Sequence, residues 1–204
     1  MKSLISLAYS ATGILMTINQ NLSGFEFPDE LANDTVVLKP LRETDFEALY
    51  AVASDPLIWE QHPNKERYRR PVFEIYFRGA MESKSAYLVA DKVSGEIIGC
   101  SRYYDFNAAD RTIFIGYTFL SRKCWGKAFN SSLKTVMLNH AFKFTDHVLF
   151  HVGHQNMRSQ KAMEKMGAIK TGEEEMSYYG EPPHTNIIYC IGKNEWEVRG
   201  EKLK

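Results

Sequence analysis

The residues most able to do chemistry lie in two short stretches. The first, residues 122–128 (Arg-Lys-Cys-Trp-Gly-Lys-Ala), sets Arg122, Lys123 and Lys127 around Gly126 and Ala128. An apolar run at 111–120 precedes it, and a helical pattern of Leu133, Val136, Met137, Ala141 and Phe144 follows. That i, i+3, i+4 spacing buries one helix face. A strand that turns through glycine into a helix leaves backbone N–H groups unpaired, with the positive end of the helix dipole behind them. Such a place binds phosphate, and the small residues let the ligand approach the main chain. The second stretch, Asn156 to Gly172, places an Asn at a helix start, the Ser159 hydroxyl one turn in, and Gly167 at the end. Cys124 lies beside two cations that could lower its pKa and make it a nucleophile. His147, His151 and His154 cluster around a strand end, where alternate residues face opposite ways, so packing or solvation is expected and no metal site.

The elements that position these stretches can be read from the pattern. Residues 35–41 read as an opening strand, and a helix follows with Thr44 or Asp45 as cap and a stop at Asp55-Pro56. Residues 57–70 form a polar connection holding Trp59, Glu60, His62 and Tyr68. Pro71 opens a second helix. Two apolar runs joined at Ser94-Gly95 make a hairpin, and 111–120 adds a third antiparallel strand. The helix after Gly126 closes near Phe144 and leads into a strand at 146–152. Strand, helix and strand make a βαβ unit with parallel strands. Two further strands, 168–179 and 185–193, end the fold. The whole is an α/β mixed sheet, antiparallel at its start with a parallel crossover.

Composition limits the partners. The 204 residues are 44% hydrophobic, with 25 Lys plus Arg against 25 Asp plus Glu. That suits one globular domain and gives no net attraction to nucleic acid or an anionic membrane. Three spaced cysteines fit a reduced, cytoplasmic setting. Residues 1–33 read as an extension. Its first 16 residues faintly resemble a signal peptide but are interrupted by Ser6, Ser10, Thr12 and Gly13. Residues 34–195 form the domain, 196–204 a tail, and the C-terminal edge strands could pair in a homodimer.

Together the two stretches resemble the GNAT N-acetyltransferase superfamily, with its [Q/R]-x-x-G-x-[G/A] loop, N-x-x-S and E-K-x-G, here Lys123 to Ala128 with Lys123 in place of the Gln or Arg, Asn156 to Ser159 and Glu164 to Gly167. The likeness covers about residues 34–195 and is strongest to ribosomal-protein N-terminal acetyltransferases and small-amine relatives. It implies a sheet with a splayed parallel strand pair, helices on both faces, and direct acetyl transfer from acetyl-CoA to a primary amine: a protein N-terminus, polyamine or other small amine. Backbone N–H groups of Cys124, Trp125, Gly126, Lys127, Ala128 and Phe129 would hold the pyrophosphate, Lys123 would add charge, and Thr118, Phe119 and Leu120 would pair with pantetheine. A backbone N–H near Phe119 or Leu120 would polarise the thioester carbonyl. A direct transfer needs no nucleophilic cysteine, so Cys124 reads as incidental.

The chain departs from that family at informative places. Met163 stands where many relatives carry a Tyr that serves the leaving thiolate, which leaves Ser159, beside the pantetheine contact Asn156, as candidate. Phe114 replaces a Glu that commonly precedes Ile-Gly-Tyr. Because an amine is almost wholly protonated at neutral pH, a base is needed. Glu60, His62, Tyr104, Asp105 and Tyr117 all remain candidates. A non-catalytic module that binds or senses CoA is the rival reading. The acceptor is expected between residues 59–70 and the hairpin at 178–184, where Glu173 to Glu175 would attract a cation.

Overall fold

The computed structural model describes residues 24–177 and 181–201. The signal-like start and residues 178–180 of the expected acceptor hairpin lie outside the described residues. The chain folds around one eight-stranded sheet. Its strands are β1 (Leu31–Ala32), β2 (Val36–Pro40), β3 (Ala86–Asp91), β4 (Ile97–Asn107), β5 (Thr112–Leu120), β6 (His147–Gly153), β7 (Ile169–Ser177) and β8 (Pro183–Gly192). Their order in space is β1-β2-β3-β4-β5-β6-β8-β7. Short turns make β3 to β5 an antiparallel meander, and β2 pairs antiparallel with β3 after a long helical connection. Asp91 caps its own turn by accepting from the N–H groups of Val93 and Ser94, and Asn107 does the same for Ala109 and Asp110.

The helices are α1 (Phe46–Ala53), α2 (Arg70–Ser83), α3 (Phe129–Ala141), α4 (Met157–Lys165) and α5 (Lys193–Glu201). One core cluster joins α1 and α2 to one face of the sheet through Leu49, Phe73, Phe77 and Phe119. The other joins α3 and α4 to the opposite face through Leu133, Met137, Met163, Ile113 and Phe150. The mixed α/β sheet with helices on both faces is therefore as the sequence implies.

Two differences concern the ends. Residues 24–33, which the sequence assigns to an extension, contribute Phe25 to the core, with its ring 5.0 Å from both Tyr103 and Phe144. Helix α5 extends to Glu201, through most of the stretch assigned to a tail. Helix α3 also stops at Ala141, three residues short of Phe144, in turns closed by the Lys143 and Phe144 N–H groups.

The parallel pair is the feature that opens the sheet. Strands β5 and β6 pair only at Thr112↔His147, Ile113↔Val148 and Phe114↔Leu149. Beyond that point β5 stays with β4 as far as Leu120, and β6 stays with β8 as far as Gly153. The strands diverge because each follows its antiparallel neighbour.

Two bulges turn the polar residues at this opening. At Tyr117 (φ 51°) and Asp105 (φ 49°) the β4–β5 register slips by one residue. Without the slip, alternation would carry Tyr117 to the α3 face together with Ile113 and Ile115. The extra residue keeps Tyr117 on the α2 face and sends Thr118 to the α3 face. The bulge at Asp105 likewise turns Phe106, and not Asp105, toward the α3-side core.

Candidate active site

Where β5 ends, the chain makes a 3-10 turn at Arg122–Cys124 and enters α3. Turn bonds use the N–H groups of Cys124, Trp125 and Lys127, which donate to Ser121, Arg122 and Cys124. The N–H groups of Gly126, Ala128, Phe129, Asn130 and Ser131 have no partner among the described residues. Donors for an anion thus start at Gly126 and run into the first helical turn, a shift from the expected 124–129. Gly126 has φ 71°, and a Cβ there would meet nothing within 4 Å. The constraint on it is conformational, since left-handed backbone disfavours side chains, and the space beside it is open to a ligand.

The cations divide unequally. Arg122 pairs with Asp55, and Lys123 with Glu96. Lys127 has no ion pair among the described residues, so it carries the local positive charge. Cys124 is buried, and that burial raises its thiol above the usual range despite Lys123 and Lys127. It is suited to packing and poorly suited to nucleophilic attack.

Helix α4 starts at the end of β6. The Asn156 side chain accepts from the Ser159 N–H at 3.1 Å, so Asn156 is the helix cap. Gln61 reaches over to accept from the Arg158 N–H. Arg158 then spans the mouth of the opening: its guanidinium lies 3.8 Å from the Trp125 ring, with Glu60 and the Ile58 carbonyl at 3.4 and 3.3 Å.

Between α3, α4 and the diverging strands lies a crevice of about 110 Å³, lined on the α3 face by Thr118, Asn130, Lys134, Phe150, Ser159 and Met163. Lys134 is 3% exposed and belongs to no ion pair among the described residues. Its ammonium donates to Thr118 Oγ1 at 2.8 Å and sits 5.4 Å from the Phe150 ring centre. Thr118 Oγ1 in turn meets Ser101 Oγ at 2.7 Å. Burial pushes the Lys134 pKa down to about 7.

The crevice continues through the sheet to His62, Arg67, Tyr117 and His151. His151 points away from α3 because its neighbours Phe150 and Val152 fill the other face. Its ring stacks on Phe114 at 4.2 Å, Nδ1 is 2.9 Å from the Tyr104 hydroxyl, and Nε2 lies against the Glu174 carboxylate. With the Nε2 proton facing that carboxylate, Nδ1 accepts from Tyr104. Burial lowers the His151 pKa, and Glu174 partly offsets this. His62 is held well below its usual range by burial and by the Arg67 charge. Arg67 itself is buried and bound to Glu181 at 2.7 Å, which ties the connection after α1 to the turn before β8.

The residues expected as bases fare differently. Glu60 faces Arg158 and does not line the crevice. Tyr117 does, but burial raises its pKa, and Arg102 lies 3.8 Å over its ring, so it is a phenol donor at neutral pH. Asp105 is exposed beside Glu174, and partial desolvation together with that neighbour raises its pKa. Ser159 lines the crevice on the α3 face. Two residues escaped the sequence reading. His151 appeared only as an unsuited metal ligand. Lys134 was passed over, although it precedes Met137 by three residues and Ala141 by seven and so lies on the apolar stripe of its helix. Among the described residues no group of three or more His, Cys, Asp or Glu could hold a metal, and no helix is long and apolar enough to cross a membrane.

This geometry has counterparts. The family described as "Acetyltransferase (GNAT) domain" matches residues 35–169. A structure of a GCN5-related N-acetyltransferase from Brucella melitensis is 18% identical and superposes with a TM-score of 0.73, covering 84% of this chain and 82% of that one. A GNAT-family protein from Chromobacterium violaceum, also 18% identical, gives 0.74 over 94% of this chain and 99% of its own. Mycobacterium smegmatis RimJ, in complex with CoA-disulfide, is 16% identical with a TM-score of 0.60, over 81% and 87%.

Proposed function

This chain belongs to the GNAT acetyltransferase family, and we propose that it transfers the acetyl group of acetyl-CoA directly to a primary amine. The observation that carries this reading is the divergence of β5 from β6, which joins a run of unpaired backbone donors on one face to a buried histidine on the other. The N–H groups of Gly126 and of Ala128 to Ser131, with the Lys127 charge, suit a pyrophosphate at the helix start. Pantetheine would lie along Thr118, Phe119 and Leu120, with Asn156 and Ser159 across from it. A backbone N–H near Phe119 or Leu120 would stabilise the oxyanion.

The acceptor would enter from the α2 face. There His151, oriented by Glu174 and bonded to Tyr104, takes the proton from the incoming ammonium, directly or through the Tyr104 hydroxyl. The free amine attacks the thioester carbon, the new C–N bond forms, the adduct nitrogen gives its second proton to His151 after the first has passed to solvent, and the C–S bond breaks with its electron pair on sulfur. A histidine whose pKa burial holds below its usual range is in its accepting form at pH 7, which is what this step needs. Asp105 and Glu174 favour a cationic acceptor: a protein N-terminus, a polyamine or another small amine. The likeness to ribosomal-protein acetyltransferases supports the first of these.

The test is release of free thiol from acetyl-CoA across a panel of peptide N-termini, polyamines and small amines. Acceptor-dependent release is expected with at least one cationic amine. Tight CoA binding without release for any amine would favour the non-catalytic CoA-binding module. No CoA binding would end both readings.

A further inference from the structure

An amine acyl transfer has two proton problems, and His151 answers one of them. The other arises at sulfur, which leaves with an electron pair inside a crevice lined by Phe150 and Met163. An unpaired thiolate in such a place is costly unless a cation or proton donor meets it. On the α3 face two side chains could do so. Ser159 offers a neutral hydroxyl one turn into α4. Lys134 offers an ammonium with three donors, of which the described residues engage one, at Thr118.

Lys134 is otherwise hard to explain. A buried lysine without a carboxylate lowers stability, and a leucine or methionine would fill the same stripe of α3. Lowering of its pKa comes from burial alone, and no neighbouring charge contributes. The other titratable groups that line the crevice are His62, Arg67, Tyr117 and His151, and none supplies a negative charge. The site is thus short of an anion, and the reaction produces one.

We propose that Lys134 receives the coenzyme A sulfur, donating a proton from Nζ as the C–S bond breaks and leaving CoA as the thiol. The inference rests on the acetyl-CoA reading above. In the balanced cycle the ammonium nitrogen loses two protons, one before attack, which His151 passes to solvent, and one from the tetrahedral adduct, which His151 keeps, while the sulfur gains one from Lys134. The proton on His151 and the vacancy on Lys134 then exchange with solvent, so both groups are restored. Thr118 positions the ammonium, with Ser101 behind it. A donor titrating near 7 is well matched, since it is acidic enough to give up its proton and is still substantially charged at neutral pH.

The experiment is an ultraviolet pH titration of the CoA thiolate bound to the full-length protein, with desulfo-CoA as blank, in wild type, Lys134→Met and Lys134→Arg. The bound thiol of wild type should titrate at least about one pH unit below free CoA, because a neighbouring cation favours the thiolate. Lys134→Met should return it to or above the free value, and Lys134→Arg should keep most of the shift. With Lys134→Met, kcat should fall roughly 100-fold while KM for acetyl-CoA stays within about twofold. In wild type at mildly alkaline pH, CoA should also bind about tenfold more tightly than desulfo-CoA, a measurement that needs no variant. An unshifted thiol in wild type, an equal shift in Lys134→Met, or equal affinity for CoA and desulfo-CoA overturns the proposal and leaves the acetyltransferase reading intact. Failure of wild type to bind CoA removes both.

Discussion

The two mouths of the crevice are built on different principles. On the α3 face the donors are mostly main chain, set by one glycine turn and the start of one helix, and the local cations Arg122 and Lys123 are already paired. On the α2 face the working groups are side chains from distant strands: Tyr104 from β4, Tyr117 from β5, His151 from β6 and Glu174 from β7. Backbone donors tolerate most changes of side chain but not of φ. Side-chain relays tolerate little change of residue and depend on the sheet to hold them. In the functional reading, the first mouth serves a ligand that is always the same, and the second serves the acceptor that distinguishes one enzyme from another.

This contrast can be broken by experiment. The largest effect is expected at the α2 face. His151→Ala should lower kcat/KM for the amine roughly 1000-fold with CoA affinity unchanged within about twofold, as expected for loss of a general base. Steady-state kinetics beside CoA calorimetry checks this, and a matching loss of CoA affinity would dissolve the division between the mouths.

Next in size is a stability effect at the crevice floor. The Lys134 pKa is about 7 when folded against a usual 10.5, so between those values the unfolded chain binds the extra proton. Wild-type stability should therefore rise as pH increases through that window and be lowest below it. Lys134→Met should remove this dependence and stabilise the ligand-free protein at pH 7 by roughly 3 kcal/mol, within the limit set by about 1.4 kcal/mol per pKa unit. Urea unfolding at pH 7 and pH 9.5 measures both.

At the α3 face, Gly126→Val should weaken CoA binding roughly 100-fold, because a β-branched residue resists left-handed backbone. Calorimetry reads the loss, while the fold, followed by thermal melting, should change little. The smallest effect should come from Glu174→Gln. Glu174 raises the His151 pKa, so removing its charge should move the acidic limb of the pH–rate profile to lower pH. A limb that moves up would reverse the assigned coupling.

What could be read from the chain follows the same division. The α3 mouth was legible because strand, glycine turn and helix are contiguous, and Asn156 capping Ser159 is a contact over three residues. Even there, the turn bonds that spend the Cys124, Trp125 and Lys127 N–H groups were not. His151 was illegible because its partners are 47 residues away at Tyr104 and on another strand at Glu174. The face of Tyr117 was illegible too, since a bulge cannot be seen in a pattern of period two.

The sequence by itself determined the elements, the mixed sheet with one parallel crossover, and the anion-ready helix start, because each rests on local periodicity, turn chemistry and unpaired donors at a helix end. Tertiary structure decided which titratable groups meet. The divergence of β5 from β6 after Phe114 joins the two faces, the bulges at Asp105 and Tyr117 choose the face for each side chain, and packing of the inner face of α3 on the sheet turns Lys134 from an ordinary surface cation into a buried, unpaired one. These are consequences of strand partners and desolvation, and neither is written in any short stretch of chain.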